Sequence, residues 1–419
     1  MISSKPFERS KLSNISFKEG FRVDHSQHAP IWTKSFNMNF IVNFFVYLCM
    51  YLLIVVIAGY SKNEFGASDS LSGLVTGLFI VGSLIGRFIT GKYVNAMGPK
   101  RTLIIGLIFL IVTQALYFIE GSLGFLMFTR LINGVATAVA TTATGTIAAY
   151  ITPPERKSEG ISMFSLSLVL GTAVGPFFGL LLSNQYSIDV LFALCLVLGI
   201  IGLALSFFIH INFETTKVSE TQPSKGFSLS QFIAKDAVPI AIVILVTGVT
   251  YSSILTFLKF FAEERNLVAV SSYFFIFYAL TSLVTRPITG RLMDNKNENV
   301  VVYPSYFFLL ISFVLLFFAH SGWMLLLAGA ALGVGYGNLS SLMQAIAIKV
   351  TTPEKYGLAT STFFIGIDFG IGFGPSVLGV FTSSITYAQL YGFMAILTII
   401  TAGLYYVLHG RKVKYLERA

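Results

Sequence analysis

Residues 87–95 read Arg87-Phe88-Ile89-Thr90-Gly91-Lys92-Tyr93-Val94-Asn95, and residues 286–294 read Arg286-Pro287-Ile288-Thr289-Gly290-Arg291-Leu292-Met293-Asp294. The second stretch lies 199 positions after the first, and the same offset holds without a gap far beyond it. Gly134 meets Gly333, Pro154 and Glu155 meet Pro353 and Glu354, and Ser162 and Phe164 meet Ser361 and Phe363. Gly171, Gly175 and Pro176 meet Gly370, Gly374 and Pro375. A constant offset over so long a stretch identifies an internal duplication.

The repeated unit is membrane-embedded. Of 419 residues, 55% are apolar and 11% charged, where a soluble protein carries roughly 25% charged residues. Mean hydropathy is +0.77. A helix needs about 20 apolar residues to cross a bilayer, and twelve such stretches stand at roughly 36–60, 71–91, 102–119, 123–148, 159–183, 189–211, 237–261, 270–291, 300–319, 322–348, 357–383 and 387–409. The runs are continuous rather than alternating, which argues against a β-barrel. The expected architecture is an all-α membrane protein of twelve spans in two pseudo-symmetric six-helix bundles, 36–211 and 237–410. A tail (1–35), a linker (212–236, with Pro223 and Gly226) and a C-terminal tail (411–419) flank them.

The net charge of +9 is topological. With the N-terminus in the cytoplasm, most of the 28 basic residues fall on cytoplasmic segments and only Lys62 and Arg265 on outer loops. Arg87, Arg130, Lys259, Arg286 and Arg291 lie in or at the ends of spans. The positive-inside rule then puts both termini in the cytoplasm, and no nucleic-acid partner is needed. Cys49 and Cys195 lie inside apolar spans and read as buried free thiols. His25, His28, His210, His320 and His409 are scattered. No metal, cofactor or catalytic cluster is expected, so an enzyme or a channel is a distant alternative. Gly86 to Lys92 imitate a phosphate-binding loop until Tyr93 takes its Ser/Thr place, and they end a membrane helix rather than follow a soluble strand.

Two parallel repeats in one membrane chain point to a transporter that works by alternating access, with its site between the halves near the midplane. Asp368 is the sharpest residue, about eleven positions into its span and ~16 Å deep at 1.5 Å per residue. An intramembrane carboxyl is a functional candidate by default, and loss of hydration of its anion makes protonation a usable coupling step. Under the repeat offset Asp368 maps to Val169 and the other deep charge, Arg130, maps to Gly329. Residues that break the symmetry are the better candidates for coupling, so Asp368 and Arg130 are expected to handle protons. Arg87 and Arg286 obey the symmetry and are expected to be gate structure.

The motifs resemble those of the major facilitator superfamily over residues 36–410. Gly91 to Arg101 is similar to that family's signature loop between its second and third helices, with Asn95 in place of the usual Asp; Gly290 to Asp294 repeats it. The resemblance implies a latch at the cytoplasmic mouth built on Gly91, Asn95, Gly290 and Asp294. Gly171-Thr172-Ala173-Val174-Gly175-Pro176 resembles the fifth-helix motif of the family's proton-coupled exporters, and implies a pliable, close-packed helix at the inner gate. Arg130 to Gly134 resembles the family's fourth-helix arginine motif. By the same analogy helices 1, 4, 7 and 10 line the cavity, which nominates Asn43, Tyr47, Tyr51, Asn133, Tyr251, Tyr336 and Asn338 as substrate contacts. Asn43, Tyr47 and Tyr51 share one helix face by spacing alone.

The expected function is export of a small organic molecule across a bacterial cytoplasmic membrane by proton antiport, by a monomer in the lipid bilayer. A proton-coupled importer of a sugar or organic acid is the alternative. A cationic drug, a zwitterionic metabolite and a metal-chelating metabolite all fit the nominated residues.

Overall fold

The computed structural model describes residues 29–119, 121–211, 231–382 and 384–416. His25, His28 and most of the 212–236 linker lie outside them. Ile31 onward forms one compact unit. The described residues are helical with no strand, and twelve helices are long and apolar enough to cross a membrane. We number these span 1 (Lys34–Ile54), span 2 (Leu71–Met97), span 3 (Pro99–Phe118), span 4 (Leu123–Ile151), span 5 (Pro154–Ser183) and span 6 (Ile188–Phe207). The second six are span 7 (Lys235–Glu264), span 8 (Val268–Asn295), span 9 (Asn299–Phe317), span 10 (Gly322–Lys349), span 11 (Pro353–Gly379) and span 12 (Tyr387–Val413).

Local chemistry sets the ends. Thr33 accepts from the Phe36 N–H at 3.2 Å and Ser122 from the Phe125 N–H at 3.3 Å, while Thr386 and Gln389 form a full capping box at span 12. These side chains satisfy orphan N–H groups of a first turn. Gly98, at φ 85°, supplies the left-handed corner between spans 2 and 3, and Pro99 starts the next helix without a wasted donor. The expected first span, 36–60, is broken at Val55 and Val56, and resumes as Ile57–Phe65. The expected 411–419 tail begins as a helical extension, Arg411–Leu416. Span 10 carries a π-helical stretch at Gly333–Gly337.

Large apolar side chains such as Phe177, Val284 and Ile288 are exposed. In water that surface would be a liability, but in lipid it is the required solvent match. Buried positions hold the polar residues instead. Within the first six spans, span 2 packs on span 4 and span 1 on span 5; within the second, span 8 packs on span 10 and span 7 on span 11. The two sets meet along two seams, span 2 against span 11 and span 5 against span 8. We call the side holding the start of span 1 and the end of span 12 the terminal face.

Candidate functional site

Two connected cavities lie between the halves. The inner one, about 130 Å³, is bounded by Asn43, Tyr47, Ser83, Arg87, Gln344 and Asp368 among others. The outer one, about 820 Å³, lies in the half away from the terminal face. Tyr51, Ile54, Ile80, Leu255, Ile371 and Gly372 belong to both walls. Among the described residues, Arg87 and Asp368 are the only charged ones in either lining.

Asp368 is held from across the seam. Its Oδ2 accepts from Ser83 Oγ at 2.8 Å and from Arg87 Nε at 3.1 Å. Ser83 and Arg87 are one helical turn apart on span 2, so one face presents both donors. Arg87 is 3% exposed and Asp368 22%. The guanidinium is fixed on its own half as well. Its NH1 donates to the Ala138 carbonyl at 3.2 Å, to Thr141 Oγ1 at 2.6 Å and to Thr142 Oγ1 at 2.8 Å. Phe364 lies over it at 4.1 Å. A cation anchored by three bonds on span 4 faces a carboxylate on the other half, beside the cavity.

Arg130 is not brought to Asp368. It lies in the outer third of span 4, 1% exposed, with NH1 on Tyr117 Oη at 3.3 Å and Phe79 at 4.6 Å. It lines neither cavity. Arg87, expected to be gate scaffold alone, is the arginine on the carboxylate.

The nominated substrate contacts divide. Asn43, Tyr47 and Tyr51 do line the cavities. Asn43 is already engaged, donating to Ser167 Oγ at 2.7 Å and accepting from Thr144 Oγ1 at 2.7 Å. Asn133 bonds Thr113 of span 3, and Asn338 donates to Thr285 and the Val334 carbonyl while accepting from Thr289. Both are spent on helix packing. Tyr251 and Tyr336 stack on each other at 3.8 Å and 9°, also outside both linings.

The motif residues fasten the terminal face unequally. Asp294 accepts from the N–H groups of Ser158 and Glu159, each at 2.9 Å, at the start of span 5's helix Lys157–Phe164. Glu159 is buried and takes Arg156 Nε at 2.8 Å and Arg291 Nε at 2.6 Å. A Cβ on Gly290 would stand 2.7 Å from Glu159 Cα, so this approach needs glycine. On the other seam Asn95 donates to the Glu354 carbonyl, Tyr150 Oη donates to the Pro353 carbonyl at 2.7 Å, and a Cβ on Gly91 would stand 2.6 Å from Ser361 Oγ. Gly171, Gly175 and Pro176 are placed elsewhere than expected. A Cβ on Gly171 or Gly175 would lie 2.8 or 2.5 Å from the Cβ of Tyr47 or Tyr51, within one half. Pro176 lines the outer cavity. This motif holds span 5 on span 1 behind the cavity tyrosines, rather than spanning the terminal-face closure. Arg286 is buried and reaches across the second seam to the Ser162 carbonyl at 3.2 Å.

Sequence reasoning missed Ser83, Thr141, Thr142 and Glu159. Ser83 was legible as the one-turn neighbour of Arg87. The others depend on which faces meet.

The chain matches the Major Facilitator Superfamily over residues 40–322 and 277–418. It is 23% identical over 358 residues to the staphylopine export protein of Staphylococcus aureus, covering 81% of this chain and 87% of that one. It is 25% identical over 337 residues to the multidrug resistance efflux pump PmrA of Streptococcus pneumoniae, covering 79% and 81%. An MFS-type transporter of Methanocaldococcus jannaschii is 26% identical over 351 residues, covering 82% and 90%. The crystal structure of the human organic anion transporter MFSD10 superposes with a TM-score of 0.73 at 16% identity, covering 88% of this chain and 98% of that one, which bears on the fold. The duplicated twelve-span architecture, the cavity between its halves and the family match make this chain a multi-pass membrane transporter of the Major Facilitator Superfamily.

Proposed function

We propose that this protein exports a small amphipathic organic molecule by proton antiport, with the terminal face in the cytoplasm and Asp368 as the proton carrier. The observation that carries the reading is the cross-seam contact of Asp368 with Ser83 and Arg87 where the two cavities join. Ionised, Asp368 ties span 11 to span 2 through charge-assisted hydrogen bonds. A proton arriving through the outer cavity neutralises it and weakens that tie, since the charge-assisted part is lost. Arg87 stays satisfied by Ala138, Thr141 and Thr142, so its half keeps the cation while the other half departs. The cytoplasmic seams then part, the proton leaves inward, and substrate enters. Reformation of the pair resets the outward-facing state. That order exchanges one proton in for substrate out.

Export is further supported by the similarity to the staphylopine exporter and the multidrug efflux pump, both matched along most of their length. The cytoplasmic placement of the termini follows from the basic residues concentrated on that side. Seams and cavities are complete within one chain, consistent with a working monomer.

The test uses inside-out vesicles with an acid lumen and a luminal pH dye, challenged with amphipathic cations, zwitterionic amino-acid conjugates and chelators. Substrate-triggered alkalinisation in wild type, absent in Asp368→Asn, is the expected result. Alkalinisation that survives in Asp368→Asn removes the proton role from this residue. A response only when compound is loaded in the lumen reverses the direction to symport.

A further inference from the structure

Arg286 is the repeat mate of Arg87, and its surroundings repeat those of Arg87 almost group for group. Arg87 donates to the Ala138 carbonyl and Thr141; Arg286 donates to the Gly337 carbonyl at 2.7 Å and to Ser340 Oγ at 3.4 Å, the same places 199 residues on. The facing helix differs. Span 11 offers Arg87 a ring, Phe364, and a carboxylate, Asp368. Span 5 carries Ser165 and Val169 at those positions. Val169 is buried in the core cluster formed mostly by the second half, so an apolar side chain occupies the mirror place of the carboxyl.

Arg286 is therefore a fully buried cation with no carboxylate within 4 Å among the described residues. Its Nε has no partner, and neither do Ser162 Oγ, Gln344 Nε2 and Thr360 Oγ1. A buried charge in a membrane segment is costly unless compensated. Here compensation comes from two carbonyls and one hydroxyl, and one of the carbonyls, Ser162, belongs to the opposite half. Ser340, Gln344 and Ser165 also line the inner cavity, which puts Arg286 one side chain behind its wall. When span 5 withdraws, the guanidinium loses the Ser162 carbonyl and faces the space that opens.

We infer that Arg286, with Ser340 beside it and Gln344 one helical turn further along span 10, is an anion subsite of the cytoplasm-open cavity and binds a carboxylate or similar single anionic group on the transported molecule. The substrate's anion takes the mirror position of the Asp368 carboxylate. An amphiphile bearing one such group fits better than a purely cationic one. The inference rests on the alternating-access reading in one respect, that the span 5–span 8 seam parts.

The test keeps Arg286 intact. Inside-out vesicles of wild type and of Asp294→Ala, which loosens that seam, are treated with phenylglyoxal, and modification of Arg286 is read by mass spectrometry. Benzoate and benzamide, alike in shape and different in charge, are the probes. A separate Ser162→Cys reporter with an impermeant maleimide reads seam opening. We expect Arg286 to react roughly thirtyfold faster in Asp294→Ala, as loss of its charge-assisted contact implies, and benzoate but not benzamide to slow it severalfold. An open seam with Arg286 unreactive, or equal protection by both probes, overturns the subsite and leaves alternating access standing. A seam that opens in neither protein overturns both. Arg286→Gln is the second check: benzoate should raise the melting temperature of wild type and not of the variant, and an equal rise in both also overturns the subsite.

Discussion

Where span 2 meets span 11, the charged contact lies beside the cavity, Arg87 on Asp368, and the terminal-face contacts are neutral: Asn95 on the Glu354 carbonyl and Tyr150 on the Pro353 carbonyl. Where span 5 meets span 8 the order is reversed. Arg286 has no acid beside the cavity, while at the mouth Asp294 caps span 5 and Glu159 gathers Arg156 and Arg291. Each seam thus has one ionic fastening, at a different depth. The duplicated backbone supplies two equivalent places for a charge at each level, and the sequence fills one of each. On the proposed coupling, a proton delivered to the cavity acts directly on the first seam alone, and the second, fastened at the mouth by Asp294 and Glu159, would part after it.

The largest expected effect comes from removing the deep charge. Asp368→Asn keeps the hydrogen bond from Ser83 but loses the anion that Arg87 faces. We expect proton-driven accumulation to fall at least about a hundredfold, since a coupling step without its proton carrier has no substitute among the cavity residues. Substrate exchange without a gradient should persist. Transport measured from pH 5.5 to 8 reads this: a wild-type pH profile in the variant would place the proton elsewhere.

Next comes the charge at the mouth. Asp294→Ala leaves the Ser158 and Glu159 N–H groups without their acceptor. A hydrogen bond to a charged group is worth about 2 kcal/mol, or roughly thirtyfold in the ratio of closed to open. Maleimide reaction of Ser162→Cys should accelerate by that order, while Thr360→Cys, on span 11 where it packs against Gly145 of span 4 in the other half, should change less. Equal acceleration at both sites would mean that the seams open as one.

Gly175→Leu breaks neither seam and so serves as the control for both. Its Cβ would lie 2.5 Å from Tyr51 Cβ. Overpacking of this kind typically costs 1–3 kcal/mol. We expect a lowered melting temperature and reduced transport, with the ratio of reporter rates at the two seams unchanged. A shift of that ratio would make the span 1–span 5 packing part of the gate.

How much of this was legible depended on whether one residue or two helix faces decided it. The spans were legible because bilayer thickness sets their length and apolar runs show it. The break after Ile54 was not, since both sides of it are apolar. The depth of Asp368 followed from its place in a run. Its partner did not. Symmetry-breaking singled out Arg130 as a second coupling residue and named no partner for Asp368, whereas Arg87 holds the carboxylate and keeps a repeat mate because its anchorage to span 4 is duplicated along with it. Asn133 and Asn338 looked like cavity residues because they are polar in apolar helices. Lipid supplies no hydrogen bonds, so neighbouring helices consume such groups first, and residue type does not reveal which ones are spent.

The smallest and most informative change converts one mouth into the other. Asn95 Oδ1 has no partner, and a Cβ on Gly357 would lie 2.7 Å from it. Gly357 and Leu358 are the repeat mates of Ser158 and Glu159, and they stand in the first turn of the helix Tyr356–Gly379, whose start has no side-chain cap. Asn95→Asp should bring a carboxylate to those N–H groups as Asp294 does at its own seam. It loses the amide bond to the Glu354 carbonyl and gains the end of a helix dipole. Charge at a helix N-terminus contributes about 0.3–1 kcal/mol, and the exposed Glu354 carboxylate opposes it only weakly through screening water. With the lost amide bond offset by the new bonds to the Gly357 and Leu358 N–H groups, the dipole contribution leaves a two- to fivefold slowing of Thr360→Cys labelling, at roughly 1.4 kcal/mol per factor of ten. With an ionic fastening then at both depths of the first seam, protonation of Asp368 opens it less readily, and turnover should fall. If labelling and turnover are both unchanged, the neutral mouth of the first seam carries no weight in the cycle, and its opening is governed by Arg87 and Asp368 alone.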